Sequence, residues 1–387
     1  MPRWLQTGEG VAIAFYDSST SASGADLMRN VYCLLGMPID AVNMATALRT
    51  IDQASANAEP FLVSTANLHY LVSSLTDTEF RESLLQSGLN TADGMPIVWV
   101  ARLLGLPIKE RVAGSDILDD LRATASPRKL KVFFFGGAEG IAEAARRMLD
   151  SDNRGLTCVG TLNPGYGTLE EMSSDEIIAA INASNADFLV VALGAGKGQA
   201  WLLRNHHRLR VPVRAHLGAA INFQAGSVKR APKLIRKSGL EWLWRIKEEP
   251  CLWIRYWRDG RTLLRLLWTR ILPLAWQGRP RLRPPTALYV GLRSDEHNVV
   301  LQVSGDATAP SINHAIVRFQ QALRLDKPLV VLDLAAVRSI DQRFFGLILM
   351  LRKALQQRGA ALLFVGVSDR LRRLFQLNEL GFLLHAK

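Results

Sequence analysis

The sequence is poor in cysteine: Cys33, Cys158 and Cys251 are its only three, widely spaced and without a CxxC pair. That excludes a disulfide scaffold, a zinc ribbon and a thioredoxin-like centre, and fits reduced thiols in a cytosolic protein. It has no run of eighteen predominantly apolar, uncharged residues, so no membrane-spanning helix is expected. Near the N-terminus only Arg3 precedes a six-residue apolar stretch, Val11 to Tyr16. That is too short for a signal peptide, and the chain is expected to stay in the cytoplasm. No GxGxxG follows the first strand-like run, which argues against a nicotinamide enzyme.

What is present is 387 residues of ordinary globular composition, 48% hydrophobic and 21% charged, enough for two or more domains. The net charge of +12 is uneven: residues 227–285 hold fifteen Lys/Arg against four Asp/Glu, and six of the nine tryptophans. Arginine interleaved with tryptophan suits an anionic, partly apolar partner, a membrane surface rather than a nucleic acid.

Residues 1–29 read as a variable extension. From Val31 to Leu217, apolar runs alternate with helix-like stretches. Strands are expected at Phe61–Ser64, Lys131–Phe135, Cys158–Gly160, Phe188–Leu193 and Val213–Leu217, with helices such as Gly140–Asp150 and Ser174–Ser184 between them. Continuous apolar strands alternating with helices predict an α/β domain, 30–226, with a mainly parallel, Rossmann-like sheet. The basic segment 227–285 follows, with helices broken at Pro250 and around Pro273 and a Pro/Arg linker from Gly278 to Pro285. Arg255, Arg258, Arg261 and Arg265 share one helical face, although Gly260 weakens that helix. Residues 286–387 show the order ββαβαβα, a second, smaller α/β domain.

Ligands of an open parallel sheet bind beyond the carboxyl ends of its strands. Thr65, Asn67 and His69 follow the first strand, and Asn90-Thr-Ala-Asp-Gly94 places Asp93 before a glycine. Gly136-Gly-Ala-Glu-Gly140 leads from strand to helix; it is either a phosphate cradle or a tight turn. Gly194-Ala-Gly-Lys-Gly-Gln199 is only loosely like a P-loop, with Gly198 where Ser/Thr belongs, so ATP hydrolysis is not expected. Asp93 is the candidate general base, its alternative being a turn or helix-capping aspartate. Asp150-Ser-Asp152 follows a helix and reads as a solvated turn; the adjacent His206 and His207 read as surface residues.

Several stretches together resemble the WecG/TagA/CpsF glycosyltransferases, glycosyltransferase family 26, from about Val31 to Tyr256. They are Leu35–Ile39, Ser64-Thr-Ala-Asn67, Ala92-Asp-Gly94, Arg111–Asp116, Phe135-Gly-Gly137, Lys229-Arg-Ala-Pro232, Gly239–Arg245, Glu249-Pro250 and Arg255-Tyr256. The resemblance implies inverting, metal-independent transfer from a UDP-sugar to a polyprenyl-diphosphate-linked saccharide at the inner face of the cytoplasmic membrane. It makes Asp93 the base and Thr65 a sugar or acceptor contact. Asn67, Arg111, Gly136, Gly137, Lys197, Gln199, Arg230, Arg245 and Arg255 become substrate-binding candidates, with arginines of the basic appendage serving the diphosphate. No cofactor or metal is implied. The usual G-x-P-K-Q-E-x-W reads Gly194-Ala-Gly-Lys-Gly-Gln-Ala-Trp201 here, and an arginine often found after the Glu-Pro pair is Leu252. These departures point to an altered sugar or acceptor, or to weakened activity.

The last hundred residues resemble a STAS domain through Val330–Leu334, Val337–Asp341, Arg358-Gly359 and Leu371–Leu377. Asp341-Gln-Arg-Phe344 lacks the hydroxyl that regulatory members phosphorylate, which implies a constitutive docking module for a protein partner. The leading expectation is a membrane-associated UDP-sugar transferase for exopolysaccharide or another surface glycan. The alternative is a catalytically weak scaffold that recruits a polysaccharide assembly complex through its STAS domain. A homo-oligomer is left open.

Overall fold

The structure, a computed structural model, describes residues 24–124, 128–151, 154–228, 231–232, 235, 239–277 and 286–384. The 278–285 linker, Arg230, Asp152 and most of the 1–29 extension fall outside the described residues. The chain divides into two units: residues 36–277, and the described parts of 1–35 and 278–387 taken together.

In chain order, α1 (Ala25–Met28) and β1 (Val31–Leu34) belong to the second unit. The larger unit runs β2 (Met37–Asp40), α2 (Met44–Ala56), β3 (Phe61–Ala66), α3 (Leu68–Thr76), α4 (Thr78–Gln86), β4 (Leu89–Ala92), α5 (Met95–Leu103) and α6 (Gly114–Ala123). It continues with β5 (Leu130–Gly136), α7 (Ile141–Ser151), β6 (Leu156–Leu162), α8 (Asp175–Ala183), β7 (Phe188–Ala192), α9 (Ala195–Arg204), β8 (Val213–His216) and α10 (Gly218–Gln224). Six strands form one parallel sheet in the order β4-β3-β8-β7-β5-β6. Strand residues alternate between two apolar layers. Val132, Phe134 and Val190 pack with α2, α6, α7 and α10 on one face; Phe133, Phe135 and Leu189 pack with α8 and α9 on the other. Burial on both faces is why these strands read as continuous apolar runs.

β1, β2 and, within the six-stranded sheet, β4 were not among the expected strands. β4 carries polar Asn90 and Thr91, both buried. The Asn90 backbone N–H donates to Asp40 at 2.7 Å and its side-chain amide to the Leu84 carbonyl at 3.0 Å, while the Thr91 hydroxyl donates to the Val112 carbonyl at 2.8 Å. A strand whose buried groups are hydrogen-bonded rather than apolar gives no hydrophobic signal.

The appendage is helical: α11 (Glu241–Glu248), α12 (Trp253–Leu266) and α13 (Leu272–Gln277). Pro250 breaks the run as expected, opening a short 3₁₀ turn. Around Pro273 the helix does not break. A π-helical turn, Leu267–Ile271, precedes it and absorbs the missing proline donor. Gly260 lies inside α12 without interrupting it.

The second unit contains β9 (Tyr289–Ser294), β10 (Asn298–Ala307), α14 (Ile312–Arg324), β11 (Leu329–Ile340), α15 (Gln342–Gln356), β12 (Ala361–Val365) and α16 (Asp369–Leu377), the expected order. Its sheet runs β12-β11-β10-β9, with β9 antiparallel. Asp341 caps α15, accepting from the Phe344 N–H at 2.9 Å. Residues 25–35 group with the second unit, because β1 lies directly on α15. A Cβ on Gly346 would stand 2.1 Å from the Val31 carbonyl oxygen, so only glycine permits this approach. Buried Arg343 donates to the Val31 and Arg29 carbonyls, each at 3.1 Å, and buried Lys353 lies 2.9 Å from Asp26. Burial opposes charge on Asp26, but Lys353 and Arg29 outweigh it and hold the carboxyl below its usual range.

Candidate active site

Beyond the carboxyl ends of β3, β4, β5, β7 and β8 lies a cavity of about 1310 Å³, closed on one side by α11 and α12. Parallel pairing builds its floor. Thr65 stands opposite Thr91 and Ala66 opposite Ala92, and the Asp93 N–H continues the ladder to the Ala66 carbonyl at 2.9 Å. The register thus sets Asp93 level with Asn67, two residues beyond the Thr65–Thr91 pair. Gly94 then turns the chain into α5 at φ +91°, a conformation that favours glycine. Asn67 caps α3, accepting from the Tyr70 N–H at 3.1 Å, and also lines the cavity.

Burial pushes the Asp93 carboxyl up to about 6; Arg111 opposes this, Glu241 and Asp116 add to it, and the Gly114 N–H opposes it again. A carboxylate poised near neutrality suits proton transfer. Arg111 lines the cavity but is not a free cation. It is held by Asp116 at 2.6 Å and by Glu241. Arg245 and Arg255 both face the cavity, Arg245 paired with Glu249 at 3.1 Å and Arg255 lying 5.2 Å from the Tyr256 ring centre. Lys197 is exposed at the rim, where its ammonium donates to the Gly167 carbonyl at 2.9 Å.

Two expected contacts are corrected. Gln199 is 0% exposed and does not line the cavity. Its amide donates to Ser64 and to the Tyr70 hydroxyl, each at 3.1 Å, and the Tyr70 hydroxyl meets His216 Nδ1 at 2.9 Å. Burial pushes the Tyr70 phenol up and the His216 imidazole down to about 4, so this network is neutral. Gly198 makes room for it, since a Cβ there would lie 2.1 Å from His216 Cδ2. Gly136 is likewise a packing glycine: a Cβ would meet the Ala192 carbonyl oxygen at 2.8 Å. Gly137 lines the cavity, but its N–H already donates to that carbonyl at 2.9 Å, leaving Ala138 and Glu139 as the wall of the turn.

His69 stands beyond its strand end as expected, but its partner Asp259 was not expected at the site. His69 Nδ1 lies 3.1 Å from Asp259 Oδ2, and both residues line the cavity. The signal was available: Asp259 is the only acid between Pro250 and Pro285 in an arginine-rich stretch. Among the described residues there is no cluster of three His, Cys, Asp or Glu side chains suited to a metal.

The Glycosyl transferase WecG/TagA/CpsF family model matches residues 32–275, well over half of the chain. The chain belongs to this family. The transferase is 29% identical over 199 residues to an N-acetylglucosaminyldiphosphoundecaprenol N-acetyl-beta-D-mannosaminyltransferase of Bacillus spizizenii, covering 51% of this chain and 75% of that protein. It is 25% identical over 214 residues to the enzyme of the same name from Staphylococcus aureus, covering 55% and 82%. Residues 290–385 match the Mlab, STAS domain model, so the transferase carries a STAS domain at its C-terminal end.

Proposed function

We propose that this glycosyltransferase moves a sugar, with inversion, from a UDP-sugar to a polyprenyl-diphosphate-linked saccharide during the synthesis of a surface glycan or exopolysaccharide. The observation that carries the reading is Asp93, a carboxyl raised toward neutrality that lines, with Thr65, a large cavity rimmed by Lys197, Arg245 and Arg255. Asp93 takes the proton of the acceptor hydroxyl as that oxygen attacks the anomeric carbon, and UDP departs with the bonding electrons. The cationic rim offsets the charge that develops on the leaving diphosphate. Thr65 and Asn67 offer a hydroxyl and an amide to the saccharide. The names of the two relatives support an N-acetylhexosamine donor and an acceptor that carries N-acetylglucosamine.

The glutamate missing at position 199 does not favour a scaffold. Gln199 completes a buried neutral network, so no cavity carboxylate is lost with it.

A membrane-linked acceptor also needs the enzyme at the lipid surface. Among the described residues no helix is long and apolar enough to cross a membrane. α12 instead exposes Trp253, Ile254, Trp257 and Leu264, with Trp268 one turn beyond, beside Arg258, Arg261 and Arg265. Such a face lies in the headgroup layer, its rings anchored and its arginines drawn to anionic lipid. The STAS domain serves as a docking module for a protein partner.

The test is a panel of UDP-sugars offered to the purified chain with a short-chain polyprenyl-diphosphate N-acetylglucosamine. Formation of a disaccharide product with release of UDP supports the reading. The absence of product with every donor rejects it.

A further inference from the structure

The cavity holds a second polar pair with no part in the chemistry assigned to Asp93. His69 comes from the first turn of α3 and Asp259 from α12 of the appendage, 190 positions apart in sequence. A carboxylate oxygen can only accept, so Nδ1 is the donor in their 3.1 Å contact. That fixes the tautomer: the neutral ring keeps its lone pair on Nε2. Nε2 has no hydrogen-bond partner among the described residues.

The two residues differ in access. Asp259 is 2% exposed, whereas the His69 side chain keeps 22% of its surface open. The second Asp259 oxygen, Oδ1, is buried without a hydrogen bond, and Arg258 Nε stands 3.9 Å from it. A clasp meant only to join two helices gains nothing from a half-satisfied buried carboxylate. The same arrangement is intelligible as a buried acid that orients an imidazole toward a ligand.

We propose that His69, held by Asp259, is a specificity-determining residue that accepts a hydrogen bond from a saccharide hydroxyl in the transfer cavity. The inference rests on the glycosyl-transfer reading above. The appendage contributes Asp259, so this subsite is complete only with α12 packed on α3. Hydroxyls occur on both the donor sugar and the acceptor saccharide, and separate Michaelis constants distinguish the two sources.

The test uses the full chain and its His69→Phe, His69→Gln and Asp259→Asn variants. Michaelis constants are measured separately for the UDP-sugar and for short-chain polyprenyl-diphosphate N-acetylglucosamine, alongside UDP affinity by calorimetry and thermal unfolding. Loss of a hydrogen bond at a buried polar site is worth about 5- to 100-fold. His69→Phe should raise one of the two constants by that factor and leave UDP affinity unchanged. His69→Gln, which retains an acceptor, should recover most of the loss, and Asp259→Asn should shift the same constant by less. Both constants staying within twofold of wild type in His69→Phe and Asp259→Asn overturn the subsite, as does an equal loss on both substrates that tracks a lowered melting temperature. A wild-type chain inert with every UDP-sugar overturns the transfer reading itself, and the subsite with it.

Discussion

Replacing Asp93 with asparagine should make the protein more stable while it loses activity. Burial, reinforced by Glu241 and Asp116 against Arg111 and the Gly114 N–H, raises this carboxyl from 3.8 to about 6. The gap is about two units, at about 1.4 kcal/mol each, so the folded state disfavours the ionised form by about 3 kcal/mol. The sign follows from the direction of the shift. Stability contributed by protonated Asp93 is complete below its unfolded value and is lost as pH rises through about 6. Asparagine has nearly the same shape, keeps an acceptor for the Gly114 N–H and never ionises. The variant therefore gains most at pH 8, and its advantage shrinks toward zero as the pH falls to about 4. A unit of this size shifts by roughly 2–4 °C per kcal/mol, which sets an upper limit of roughly 12 °C. Calorimetric melting of both proteins across that pH range is the assay. A variant that melts at or below wild type at pH 8, or an offset that does not change with pH, would refute the assignment of Asp93 as a buried, strained acid.

Three further outcomes are expected. The acidic limb of kcat/KM should rise with pH through about 6, as Asp93 ionises, with a limiting slope of one; a flat profile down to about pH 4.5 would exclude it as the base. Transfer should persist in EDTA, because Lys197, Arg245 and Arg255 already supply positive charge at the cavity; activity abolished by EDTA and restored by magnesium or manganese would contradict this. Changing Trp253, Trp257 and Trp268 together to alanine should release the protein from anionic vesicles, and salt should weaken the wild-type attachment; sedimentation with vesicles that is unchanged by the substitutions would show that α12 is not the anchor.

The sequence made the strands buried on both faces plain, because Phe133, Val190 and their neighbours leave no polar position to obscure them. The C-terminal order was equally legible, since β10 alternates strictly between buried and partly exposed residues. β4 was not, although it leads into Asp93, because its buried Asn90 and Thr91 are polar and hydrogen-bond to partners as far as 50 and 21 positions away. The same limit applies to the site. Thr65 and Asn67 stand at the end of an expected strand, where local order predicts them, whereas Asp93 is marked only by the glycine that follows it. Gln199 and Gly136 also follow or end strands but are packed inward, which depends on the distant Tyr70 and Ala192. The joining of residues 25–35 to α15 rests on Gly346, Arg343 and Lys353, more than 300 positions away, and no local pattern marks it.

The most direct test of the account is a single-turnover measurement of sugar transfer by the wild-type chain and by Asp93→Asn, with donor and acceptor bound at saturation. Single-turnover conditions isolate the chemical step from binding and product release. The expected result is a step slowed by ~10²–10⁴-fold in the variant, with UDP affinity and folding retained. A variant that transfers the sugar at close to the wild-type rate would contradict the assignment of Asp93 as the base around which this cavity is built.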